Sequence, residues 1–476
     1  MLTGIAIRRM GLLALVGLGL VLGAAFAYNG PEQAMAVVVA IVAAAGYILA
    51  PEAAILSLVA LRPVVDVFVF RVSFAGLNVG VFWAGLMVAF CGFYLLTRPS
   101  AFRRVARMVA VPLLFVALLA VLSWTRPDFM FAVQETLKVG AWLILAVTIA
   151  AIASRSEGRA TVLRFMGYAA IVTAATILVL ILQNRYGSAY YAHNLTYMQD
   201  VGPHGLAYAC VTVLPFTLLA ILTHKRILVP LITACLLSLE VVLSYVRSAY
   251  LCFAVIMLVF SVIALKGSRA RTRMIGVGVW VLVAAAGYFV QDELIRRLAD
   301  LLGRSNQWTP NAIGSGRNLV WSAVWDQSTA TPLRTLLGAG SRASMDYTAA
   351  AGLGVLSGPH VDLYWAHNDV LETLAIGGVV LLCAYLLLFW WMSRAAIGVA
   401  RMKTADWSSR SFGYLATATV VGFLILSVAN SVVFSLPACT FMGVLIGVCY
   451  GFLASGEREL VPAQERAGHS WMRAPA

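Results

Sequence analysis

Charge is scarce in this chain. Only 11% of its 476 residues are Asp, Glu, Lys or Arg, against 62% hydrophobic residues and a mean hydropathy of +0.90. So little charge cannot cover a water-facing globule of this size, which excludes an ordinary soluble fold. Cysteine is sparse as well. Cys91, Cys210, Cys235, Cys252, Cys383, Cys439 and Cys449 all stand inside apolar runs, so no disulfide framework is implied. No His/Cys cluster has zinc spacing, and neither a P-loop nor a dinucleotide fingerprint occurs. No internal repeat stands out, and no segment alternates in the manner of a membrane barrel.

What is present is a succession of apolar runs with few or no charges, each of about 20 residues, the length that crosses a bilayer as a helix. They fall at roughly 10–27, 34–50, 53–70, 77–97, 107–124, 135–153, 163–183, 205–223, 227–245, 248–266, 274–290, 370–391, 412–431 and 436–454. Arg62 and Asp66 interrupt the third run. They stand four apart, share a helix face and can pair. The runs 227–245 and 248–266 nearly touch. The expectation is an all-α polytopic membrane bundle of 12–14 helices. The first run follows Arg8 and Arg9 and is read as a retained signal anchor.

Basic residues orient these spans. With the N-terminus in the cytoplasm, one set of alternate loops holds Arg98 to Arg107, Arg155 to Arg164, Lys225 and Arg226, Lys266 to Arg273, and Arg394 to Arg410. The net charge of +14 is then a topology signal rather than a nucleic-acid footprint. Both termini fall in the cytoplasm and a long loop, 291–366, on the other face. Four units follow: spans in 1–290, the large loop with its final segment in 291–369, C-terminal spans in 370–454 and a short charged tail in 455–476.

Unusual polar residues gather on that outer face. The loop 184–204 carries Arg185 and His193 among tyrosines and glycines. Arg247 lies between two spans, against the inside bias; it either snorkels to lipid phosphates or binds something else. In the large loop, 294–302 has the spacing of an amphipathic helix. Gly314 to Arg317 and Leu337 to Arg342 are glycine-rich turns with arginines. Such turns either serve chain reversal or offer N–H groups and guanidinium to an anion. Finally Ala366-His367-Asn368-Asp369 meets the next apolar run. Asn368 or Asp369 suits a helix N-cap. His367 is either an interfacial capping residue or a group that moves a proton. Glu240, within a span, has either a structural pairing role or a transport role.

Taken together, Arg247-x3-Leu251, Ser315-Gly316-Arg317, Leu337-Gly338-Ala339-Gly340 and His367-Asn368 with Gly378 resemble the O-antigen ligase and polymerase family of bacterial inner membranes. The resemblance covers about residues 205–391, and Leu381 departs from the last position of the histidine motif. It implies a GT-C-like bundle and an inverting, metal-independent glycosyltransferase without a cofactor. A glycan would pass from undecaprenyl diphosphate to a lipid A-core hydroxyl at the periplasmic face, in contact with membrane lipids. A polymerase would use a second lipid-linked glycan as acceptor, and a transporter is the alternative of another class. By the same resemblance His367 would be the base. Arg247, Arg185, Arg317 and Arg342 would hold the diphosphate, with Asn368, Asp369, Leu251 and Gly378 in support. Apart from the resemblance, the adjacency of Asp369 to His367 places it to hold the second imidazole nitrogen. Protein-glycosylating relatives carry a further C-terminal domain, for which the short tail leaves no expectation.

Overall fold

A computed structural model of the chain describes residues 44–280 and 317–455, apart from 68–72, 75–76, 125–128, 183–202, 245, 268–269, 271, 279, 352–354, 357–360, 363–365 and 403–404. The helices are α1 (Pro51–Ala60), α2 (Arg62–Val67), α3 (Val79–Thr97), α4 (Pro99–Val105), α5 (Ala110–Ser123), α6 (Phe129–Ala153), α7 (Ser156–Leu182) and α8 (Pro203–Thr223). They continue with α9 (Leu228–Leu243), α10 (Arg247–Lys266), α11 (Arg317–Ser328), α12 (Pro332–Leu337), α13 (Ala343–Ala350), α14 (Asp369–Ala400), α15 (Trp407–Ala429) and α16 (Leu436–Ser455). The described strands are four two-residue segments, paired antiparallel as two small hairpins: Ser73–Phe74 with Leu77–Asn78, and Val355–Leu356 with Val361–Asp362. The fold is an all-α polytopic membrane bundle.

Eight helices among the described residues are long and apolar enough to cross a membrane, or nine if the bent pair Pro99–Met108 and Ala110–Ser123 is one span. The runs expected at 10–27 and 34–50, and most of 274–290, lie outside the described residues or nearly so. The run at 53–70 is two short helices meeting at Leu61, and Arg62 pairs with Asp66 as the spacing implied. The run at 370–391 is longer than its apolar stretch, since α14 begins at Asp369 and continues to Ala400. The amphipathic stretch 294–302 and the Gly314 to Gly316 turn lie outside the described residues.

The centre of the bundle is α6 against α16. Lipid tails are as apolar as leucine, so close backbone approach and small residues drive such pairs. Gly443, Gly447 and Gly451 form a stripe on α16 at intervals of one helical turn. A methyl group added to them would stand 2.7 Å from Trp142 O, 2.6 Å from Ala146 O and 2.8 Å from Ala150 O. Gly447→Leu is therefore expected to remove most folded protein, measured as the monodisperse peak in detergent. Gly278→Ala should leave that peak unchanged, because among the described residues nothing stands within 4 Å of the added carbon.

One end of the bundle gathers basic side chains. Glu52 accepts from Tyr94 Oη at 2.9 Å and from Arg98 at 2.9 Å, and is also bonded by Arg155. Arg159 is fully buried there, donating to Ala153 O and Ser455 Oγ at 3.1 Å each. Five cysteines are buried and Cys235 and Cys383 are exposed; none is in a disulfide.

Candidate functional site

The site is built on a break in α14. Gly377 and Gly378 leave helical geometry, with Gly378 at φ 61° and ψ −159°, a region open in practice only to glycine. A break frees backbone carbonyls, and buried carbonyls need partners. The loop supplies them. Ala339 N–H donates to Ala375 O at 2.8 Å and Gly340 N–H to Ile376 O at 2.9 Å. Gly338, at φ 69°, lies so close that an added methyl would stand 2.4 Å from the Ile376 carbonyl. The Leu337-Gly338-Ala339-Gly340 turn and the glycine after the histidine motif are thus two halves of one joint. Of the two readings of that turn, chain reversal fits its backbone better than an anion cradle, because the N–H groups of Ala339 and Gly340 are used by α14 and that of Gly338 by Arg334 O.

The joint docks α11, α12 and α13 onto the first turns of α14, and these contacts fix the histidine loop. Trp321 Nε1 donates to Ala366 O at 2.7 Å. Ala366 N–H donates to Glu372 Oε2 at 3.3 Å, and Ser344 Oγ donates to Glu372 Oε1 at 2.6 Å. Glu372 is fully buried. Ala366 is therefore held from both sides of its peptide. Asn368 Oδ1 caps α14, accepting from Val370 N–H at 2.9 Å and Leu371 N–H at 3.2 Å. Between these anchors His367 adopts φ 48°, the left-handed region. The cap is Asn368, so capping is not the work of His367.

Asp369 serves another purpose than the one expected of it. Its Oδ2 accepts from Val432 N–H at 3.1 Å and Val433 N–H at 3.0 Å, and its Oδ1 has no hydrogen-bond partner among the described residues. Fully buried, it ties the start of α14 to the turn between α15 and α16. That turn forms one wall of the pocket into which His367 opens.

The pocket has a volume of about 340 Å³ and is lined by Glu135, Lys138, Gly205, Tyr208, His367, Asn430, Ser431, Phe434 and Ser435. These residues come from the first turns of α6 and α8, the entry to α14 and the α15–α16 turn. The opposite ends of the same helices lead to Arg155, to Lys225 and Arg226, and to Arg401. The pocket therefore lies at the end of the bundle away from the basic loops.

Of the other residues singled out in the sequence, Arg247 is the first residue of α10. Its neighbour Ser248 accepts from Asn430 Nδ2 at 2.8 Å, so the start of α10 stands against the pocket wall. Arg342 is at φ 65° before α13, with its guanidinium 5.5 Å from the Phe131 ring on α6. Arg317 opens α11. Arg185 lies outside the described residues. Leu251 is 58% exposed on the outside of the bundle and does not line the pocket. Gly378 acts in the joint. Glu240 is fully buried in α9, away from the pocket lining. The residues missed from sequence are Glu135, Lys138, Tyr208, Asn430, Ser431, Phe434 and Ser435. Glu135 and Lys138 carried a signal, being charges three apart at the head of an apolar run. The α15–α16 turn carried none.

No curated protein matches the chain. Residues 232–386 match the family described as O-antigen ligase, a stretch that holds the start of α10, the joint and the histidine loop. Over that stretch, about a third of its length, the chain is similar to the O-antigen ligase family.

Proposed function

We propose that this chain is an O-antigen ligase of the bacterial inner membrane. It transfers a glycan from undecaprenyl diphosphate to a sugar hydroxyl of lipid A-core. In this reading the pocket faces the periplasm, both termini are cytoplasmic, and residues 291–369 form the outer unit between two sets of spans. The observation that carries the reading is the setting of His367. Within the family-matched stretch, one imidazole opens into a polar pocket at the helix ends away from the basic loops. The positive-inside rule puts that end outside the cytoplasm.

In the proposed step His367 takes the proton of the acceptor hydroxyl as the oxygen attacks the anomeric carbon. The bond from that carbon to the diphosphate oxygen breaks, the configuration inverts, and undecaprenyl diphosphate leaves with the electron pair. Developing charge on the diphosphate calls for fixed cations, and a guanidinium meets two phosphate oxygens at once. Arg247, at the start of α10 against the pocket wall, is the first candidate; Arg342, Arg317 and Arg185 are the others. Hydrogen bonds to charged groups are worth about 1.5–3 kcal/mol. Arg247→Lys, which keeps the charge and loses the fork, is therefore expected to slow transfer roughly 10- to 100-fold. Initial rates at equal protein in membranes check this, and a rate within twofold of wild type would remove Arg247 from the donor site.

A deletion strain tests the overall reading and its nearest alternative. Long glycans accumulating on the lipid carrier, with bare lipid A-core, are expected. Single repeat units on lipid A-core would indicate a polymerase instead. An unchanged glycan with altered uptake or export of lipid-linked sugars would indicate a transporter.

A further inference from the structure

Glu135 and Lys138 have no part in the mechanism above, yet they line the pocket with His367. Lys138 Nζ donates to Glu135 Oε1 at 2.7 Å. The glutamate is 3% exposed, and its second oxygen, Oε2, has no hydrogen-bond partner among the described residues. Buried polar atoms are nearly always paired, so an unpaired carboxylate oxygen in a pocket wall signals an absent partner. Two more atoms repeat the pattern in the same wall. Asn430 Oδ1 and Ser431 Oγ also lack partners among the described residues, although Asn430 Nδ2 is engaged by Ser248. Oε2 and Oδ1 can only accept. The missing partner is a group rich in hydroxyl donors.

Charge narrows the choice. With Glu135 at 2.7 Å, the ammonium of Lys138 is already offset, so the pair as a whole adds no net cation for a diphosphate. Tyr208 and Phe434 add aromatic rings to the same lining. Hydroxyl acceptors on one side and rings on the other suit a pyranose, which has a hydroxyl edge and an apolar face.

We propose that Glu135, Lys138, Asn430 and Ser431 form a sugar-binding wall beside His367, in which Glu135 Oε2 accepts from a ring hydroxyl and Lys138 Nζ donates to a sugar oxygen. The inference rests on the transferase reading. The ring belongs either to the acceptor core or to the first sugar of the donor glycan. Both present the same chemistry.

The test uses the full chain in proteoliposomes, with undecaprenyl-diphosphate-linked glycan and rough lipopolysaccharide varied in turn. Glu135→Gln is expected to raise KM for one of them about tenfold or more, with kcat within threefold. The substrate whose KM rises identifies the source of the ring. An unchanged KM for both overturns the proposal. So does recovery of wild-type KM in the double variant Glu135→Gln with Lys138→Met, because a pair that only braces the helix is replaced by its neutral counterpart. A second measurement does not need turnover: the shift in Tm on adding core oligosaccharide or lipid-free donor glycan. Wild type should be stabilised by one of them and Glu135→Gln should not. Stabilisation of wild type by neither would overturn the sugar-binding wall. Failure of wild type to transfer, with this stabilisation intact, would instead count against the transferase reading.

Discussion

Replacing His367 with alanine is expected to lower glycan transfer about 10²- to 10⁴-fold, the usual worth of a general base, while the protein still folds. The separation follows from the local structure. The supports of this loop are Trp321 on Ala366 O, Glu372 on Ala366 N–H, and Asn368 on the first turn of α14. None of these three uses the imidazole, so all three persist when it is removed. The sharper variant is His367→Asn. The left-handed φ of 48° is one that asparagine also adopts readily, so the fold is matched and only the proton chemistry is lost. Folded yield and Tm should stay near wild type while transfer falls as in the alanine variant. A fully active His367→Asn protein at equal membrane abundance would make His367 a spacer in the loop.

The second large effect belongs to the joint. Gly378→Ala is expected to destabilise the docking of the loop helices and to abolish transfer, although Gly378 does not line the pocket. Two costs combine. A side chain at φ 61° and ψ −159° carries strain of about 1–3 kcal/mol. Its methyl carbon would also stand 2.4 Å from the Leu336 carbonyl, where backbone rather than a flexible side-chain end must give way. If the turn moves away, the Ala339 and Gly340 N–H groups lose Ala375 O and Ile376 O, at about 1–3 kcal/mol for each buried group left unpaired. The loss should appear as faster proteolysis within 331–350 before any loss of the bundle itself. Equal proteolysis of variant and wild type, with normal transfer, would refute this account of the joint.

Much of the architecture could be read from the sequence, because a bilayer imposes length and charge rules that are local in the chain. The spans of α3, α6, α7, α8, α10 and α14 to α16 appear as apolar runs, and the Arg62–Asp66 pair follows from helical spacing alone. The run holding α1 and α2 was less legible, since helix breaks depend on neighbours. The histidine loop was legible as a position, because a titratable group before an apolar run needs no tertiary information. Its supports were not. Trp321 and Ala366 are far apart in the chain, as are the Leu337 to Gly340 turn and the carbonyls it satisfies. Nothing in either segment alone states that they meet. Asp369 was given a role beside His367 from adjacency, but a helix start turns successive side chains in different directions. The structure directs this one to the α15–α16 turn. Glu135 and Lys138 were counted as the edge of a span, since only the convergence of four helix ends makes them part of a pocket.

The central claim is that this pocket transfers a lipid-linked glycan through His367. It is tested most directly by acceptor-dependent release of undecaprenyl diphosphate in proteoliposomes. The purified full chain would be supplied with undecaprenyl-diphosphate-linked glycan and rough lipopolysaccharide. The account predicts release and glycan-capped lipopolysaccharide in equal amounts with wild type, and at least 100-fold less of both with His367→Ala. Equal release by the two proteins, or none from wild type with either rough lipopolysaccharide or a second lipid-linked glycan as acceptor, would contradict it.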